Sequence, residues 1–234
     1  MYQKTVLKNG IRVVSQKIPH IRSISIGIWI TTGSRQENSE EKGISHFIEH
    51  LVFKGTKNRT AHDIAKEIDS VGGILNGFTE REYTCFHAKM VDQHCPLAVE
   101  LLSDIFLNSI FDPNEIERER NVVLQEIKMV EDTPDDHIHD LFNQVFWGGH
   151  SLGYPIVGKK EQVSSFDRAT ICRYFDDHYR SNHLIISMAG GFDHEEMIRR
   201  IEDTFDGLQE RVEVGREQSP EPNPRISVFP KDLE

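Results

Sequence analysis

Residues 43–55 read GISHFIEHLVFKG, and the way this stretch divides into two faces decides what can be built around it. At about 100° per residue, Ile44, Phe47, Ile48, Leu51 and Val52 form one stripe, the spacing of a helix whose inner face joins a core. His46, Glu49, His50 and Phe53, spaced i, i+3, i+4, i+7, gather on the opposite side. Gly55 then offers a C-terminal stop. Two imidazoles one turn apart can aim ring nitrogens at a single metal ion. A carboxylate beside both can take a proton from an attacking water.

The pattern H-x-x-E-H is the reverse of the H-E-x-x-H zinc motif, yet a pattern of five residues arises by chance in roughly one chain in twenty of this composition. A solvated helix face would carry the same letters. A catalytic zinc site also needs a third protein ligand, and the segment after Asp112-Pro113 reads as a helix running to about Val130 that offers two. Its apolar stripe is drawn through Ile116, Val122, Val123, Ile127 and Val130, and Glu119 and Glu126 both fall within it. Carboxylates on such a stripe are costly unless paired, hydrogen-bonded or bound to a cation. Pairing with an arginine, or a place at the helix edge, would also account for either one.

Outward from these helices, TVLKNGIRVVS predicts an opening hairpin with a type I′ turn at Asn9-Gly10. Strands are expected at Ile24 to Thr31, Tyr83 to Met90 and His183 to Ala189. Helices are expected at Ala61 to Val71, Pro96 to Ile110, Ile138 to Phe146, Ala169 to Tyr179 and Glu195 to Phe205. Without a regular βαβ alternation the class is α+β, a mixed, mainly antiparallel sheet packed with helices. PEPNP reads as a linker, and RISVFPKDLE as the start of a further β-prone run. The boundary therefore falls between 1–218 and 219–234, and more chain is expected beyond Glu234.

Composition narrows the function classes. A net charge of −11, with basic residues scattered among acidic ones, disfavours a nucleic-acid partner. The longest uncharged run, SISIGIWITTGS at 23–34, is too short to span a bilayer, so no membrane partner is expected. Cys85, Cys95 and Cys172 show no paired spacing, and the first residues carry no export pattern, which makes the cytoplasm the default location. His137 and His139, in the acidic DDHIHD, are read as solvated loop residues at a helix start.

Taken together, GISHFIEHLVFKGT and the E-x6-E pair in ERNVVLQEI resemble the pitrilysin-type (M16) zinc metallopeptidases, in their processing-peptidase-like branch. The resemblance covers essentially the whole chain. It implies that His46, His50 and Glu126 bind one Zn2+ per chain, that Glu49 is the general base, and that Glu119 is a supporting carboxylate. Asn76-Gly77-Phe78-Thr79 is similar to the family's Asn-Ala-Phe-Thr stretch, read as a loop leading to the strand beside the cleft. Asn76, Gly77, Phe78 and Thr79 are then expected to take the main chain of a peptide substrate as an added strand. By resemblance, 1–218 is the N-terminal zinc-binding peptidase domain of a two-domain enzyme, and 219–234 is the linker and the start of an absent, homologous C-terminal half. That half would complete the active site, so zinc binding with little peptidase activity is expected of this fragment. A homodimer or a partner subunit could complete the enzyme instead. The alternatives are a noncatalytic scaffold subunit of the same family and S-ribosylhomocysteine lyase, which shares the H-x-x-E-H helix but takes a cysteine ligand. None of the three cysteines here sits at a matching landmark.

Overall fold

The opening hairpin forms as its alternation requires. β1 (Gln3–Val6) and β2 (Arg12–Lys17) pair antiparallel in a computed structural model that describes residues 2–210 and 219–231. The turn is not the expected type I′, which needs two positive φ angles; of the pair only Gly10 has one, at 83°. Asn9 is held differently, donating its side-chain amide to the Phe205 carbonyl and accepting the Ile11 N–H.

β3 (Ser23–Ile30), β4 (Ile74–Thr79), β5 (Thr84–Val91) and β6 (Leu184–Gly190) complete a six-stranded sheet in the order β1-β2-β6-β3-β5-β4. β2 and β6 run parallel and the remaining pairs are antiparallel, which is the mixed, mainly antiparallel sheet expected. Strand β4 is a correction. Read by resemblance as a loop, it pairs along its whole length with β5 and forms one edge of the sheet, although Asn76, Gly77 and Thr79 weaken its apolar alternation.

Eight helices accompany the sheet among the described residues: α1 (Ile44–Val52), α2 (Ala61–Ser70), α3 (Cys95–Leu107), α4 (Pro113–Asp132), α5 (Pro134–Phe146), α6 (Lys160–Ser165), α7 (Arg168–His178) and α8 (His194–Phe205). Period-2 burial on β3 (Ile24, Ile26, Ile28, Ile30) and on β5 (Phe86, Ala88, Met90) meets the stripes of α1 and α3 in one continuous core. Helix α6 was not expected, and His137 and His139 lie in the first turns of α5 rather than in a loop. Residues 219–231 carry no helix or strand, and the boundary placed at 218 falls outside the described residues.

The five apolar residues of α1 are all at most 1% exposed, so the helix is locked in rotation. It packs against β4 and β5 on one side and against α4 and α7 on others. Its N-terminus has no side-chain cap of its own at Gly43. Instead Glu37, 4% exposed, accepts the N–H groups of Gly43 and Ser45 at 2.7 and 2.9 Å, satisfying two of the helix's orphan donors. Ser45 then hydrogen-bonds Tyr174 of α7 at 2.9 Å. Gly43 and Gly158 touch backbone to backbone, both at positive φ (92° and 81°), and a Cβ on Gly158 would lie 2.7 Å from the Gly43 Cα. Glycine at both positions lets the loop before α6 brace the start of α1.

Burial pushes the Glu37 carboxyl up from 4.5 to about 7, against the downward pull of the two backbone hydrogen bonds. A raised carboxyl favours the folded state fully below about 4.5 and loses that contribution as pH rises through about 7. The melting temperature of the wild type relative to Glu37→Gln should therefore be highest at about pH 4 and fall steadily to about pH 7–8. A difference independent of pH would contradict the burial of this group.

Candidate metal centre

The stripe on α1 turns His46, Glu49 and His50 toward α4 and β4, because the opposite face is committed to the core. On α4 the buried positions are Ile116, Glu119, Val123 and Ile127. The expected stripe was wrong at Val122, which is 45% exposed. The true buried face is rotated toward the glutamates, and they are the residues that meet α1.

His46 Nε2 lies 3.7 Å from Glu126 Oε1, and His50 Nε2 lies 3.6 Å from Glu126 Oε2. One ligand atom from each of the three residues falls within 4.8 Å of the others, and this is the one such group among the described residues. A tetrahedral zinc at about 2.0–2.1 Å from each donor would hold them about 3.4 Å apart, near the 3.7 and 3.6 Å that separate the two imidazoles from the Glu126 oxygens. Burial, with the neighbouring His50, holds the His46 imidazole down at about 4, so it is neutral and able to bind a metal at neutral pH. Its Nδ1 is buried without a hydrogen-bond partner, and Nε2 is the nitrogen that faces Glu126. Glu126 keeps about a third of its side chain exposed (32%), leaving the group open on one side. The donor set therefore fits a zinc ion with a free fourth position.

Glu119 stands apart from the three. It is 5% exposed, accepts from His50 Nδ1 at 3.2 Å and contacts Lys54 Nζ at 2.8 Å. A carboxylate only accepts, so the His50 proton sits on Nδ1 and the lone pair on Nε2. The sequence left an arginine partner open for this glutamate; the partner is Lys54, two residues past α1.

Glu49 is held by β4. Thr79 Oγ1 donates to its Oε2 at 2.7 Å, and desolvation raises the Glu49 carboxyl above its ordinary value, opposed by that hydrogen bond. Gly77 shares this face of β4, whereas the pleat turns Asn76 and Phe78 to the other side, where Phe78 meets Trp29 and His87. The four residues expected to act together thus divide into two pairs. In the antiparallel register with β5, Asn76 and Phe78 turn their backbone groups toward β5, and the backbone groups of Gly77 and Thr79 face the outer edge. Sequence reasoning missed Glu37 and Lys54; the only local signal was an acidic residue before a helix and a basic one after it.

Against known proteins, residues 12–160 match the model of the insulinase family of peptidases, family M16, and residues 165–234 match that of the M16 inactive domain. An uncharacterized zinc protease of Bacillus subtilis, YmxG, is 43% identical over 221 residues, covering 94% of this chain and 54% of the relative. An uncharacterized zinc protease of Streptomyces coelicolor, SCO5738, is 39% identical, covering 87% of this chain and 44% of the relative. The chain spans about half the length of the curated relatives it matches. Among solved structures, a protease from Helicobacter pylori superposes with a TM-score of 0.86 at 22% identity, over 95% of this chain and 54% of that one. An M16 inactive domain from Pseudomonas fluorescens gives 0.87 at 12% identity, over 94% of this chain and 54% of that one, so the fold is shared far beyond the sequence. The α+β fold is that of the M16 halves, and the chain belongs to peptidase family M16.

Proposed function

We propose that this chain is the metal-bearing half of a zinc-dependent endopeptidase that hydrolyses peptides or unfolded protein segments. One observation carries the reading: two imidazole Nε2 atoms and a carboxylate converge, with a second, partly desolvated carboxylate from the same helix turn beside them. His46, His50 and Glu126 would hold one zinc. When bound there, zinc would polarise the scissile carbonyl and make the attacking water more acidic. Glu49 would take the water proton and pass it to the leaving amine, a role for which a carboxyl raised by desolvation is better matched than an ordinary one. Glu119 would fix the His50 tautomer, with Lys54 balancing its buried charge. The free edge of β4 would take the substrate main chain as a further strand. The rest of the full-length protein would supply the other wall of the cleft, so the chain alone would bind metal and cleave little.

The competing reading, a noncatalytic subunit, draws on the match of residues 165–234 to the inactive-domain model. That stretch contains none of the residues gathered here, and the donor set upstream of it is complete.

Elemental analysis of the purified chain should give about one zinc per chain, with a clear loss in Glu126→Gln and in His50→Ala. Folded, metal-supplemented wild type without zinc, or variants that keep it, would sink the reading. In the full-length protein, Glu49→Gln should retain zinc while losing about 10²–10⁴-fold in peptide hydrolysis.

The Glu119 arrangement has its own test. Glu119→Gln should weaken zinc affinity about 10–100-fold in a chelator competition. Lys54→Met should cost about 1–3 kcal/mol in urea unfolding, part of which returns in the Lys54→Met/Glu119→Gln double variant. An unchanged zinc affinity, or a double variant no better than Lys54→Met, would exclude the orienting role.

A further inference from the structure

The edge strand β4 grips the Glu49 side chain at two points. Thr79 Oγ1 donates to Oε2 at 2.7 Å. At the other end, a Cβ added to Gly77 would sit 3.1 Å from Glu49 Cγ, 3.0 Å from Phe86 Cδ1 and 3.3 Å from Phe53 Cε2, so the stem of Glu49 lies against bare backbone. Both contacts come from one face of one strand, two residues apart, as the pleat dictates. Among the described residues, no strand lies on its outer side in the sheet.

We infer that Thr79 is a positioning residue for Glu49, rather than a substrate contact, and that β4 links docking of an extended main chain to the placement of the base. The inference rests on the reading of Glu49 as general base and goes beyond it. A glutamate has three rotatable side-chain bonds, and only a fixed donor selects the rotamer that brings its carboxylate beside the three converging donors. Thr79 supplies that donor from β4, not from α1, so the base is referenced to the strand that the substrate would join. An added strand on the outer edge would order β4 and, through Thr79 and Gly77, the carboxylate. Only a β4 in register with β5 presents the hydroxyl, because Thr79 pairs with Thr84 and a slip of one residue would turn it to the other face.

The test uses the full-length protein with Thr79→Val, which keeps the shape and removes the donor, and Thr79→Ser, which keeps the donor. Four quantities are read: zinc content, kcat and KM on a fluorogenic peptide, and the Kd of a non-hydrolysable peptide analogue for metal-free protein. The expected result for Thr79→Val is unchanged zinc, an analogue Kd within about twofold of wild type, and kcat lower by about 10–100-fold. Thr79→Ser should recover to within about threefold of wild type. Unchanged kcat in Thr79→Val, a loss confined to KM and analogue Kd, or a Thr79→Ser no better than Thr79→Val would overturn the positioning role. These outcomes leave the peptidase reading standing. Hydrolysis retained in Glu49→Gln would overturn both.

Discussion

The burial of five apolar side chains on α1 is the constraint from which the site follows. Ile44, Phe47, Ile48, Leu51 and Val52 each lose essentially all contact with water, which together is worth on the order of 10 kcal/mol of transfer free energy. That term fixes the rotation of the helix. The residues between the stripe positions then have no freedom of direction, and two histidines and a glutamate must face α4 and β4. A helix with a weaker stripe could roll to expose them and avoid the desolvation that His46 and Glu49 carry. Hydrophobic burial thus holds polar groups where they are least comfortable, and a cation among them would remove much of that cost.

The neighbours of α1 keep the arrangement from being merely unfavourable. Glu37 answers the helix's open N–H groups, Lys54 answers Glu119, and Thr79 answers Glu49. Each compensating group comes from a different segment, and each is polar or charged at a position where a surface residue would be unremarkable. The contact between Gly43 and Gly158 adds a steric lock, closing the loop before α6 onto the start of α1. The site is a set of pairwise compensations assembled on a rigid apolar frame.

The local parts of this picture were legible in the sequence. Helix α1, its two faces, and the placement of Glu119 and Glu126 on α4 follow from period and residue type, because helical geometry converts spacing into direction. Strand β4 was not legible, since a glycine and two polar residues erase alternation and only the partner strand β5 defines it. The stripe of α4 was misdrawn through Val122 because apolarity was taken as the sign of burial. Lys54 and His50 turn Glu119 inward, and no window of sequence contains that pairing. The turn at Asn9-Gly10 failed for a similar reason, as Asn9 bonds the distant Phe205 carbonyl. The contacts of Glu119 and Asn9 join segments far apart in the chain, whereas β4 was missed although its partner follows it directly.

The most direct measurement is anomalous diffraction at the zinc edge from crystals grown with the metal. The account requires one peak about 2.0–2.2 Å from His46 Nε2, His50 Nε2 and a Glu126 oxygen, with Glu119 on His50 Nδ1 and outside the coordination sphere. A peak elsewhere, or one that recruits Glu119 or His50 Nδ1 as a ligand, would contradict it.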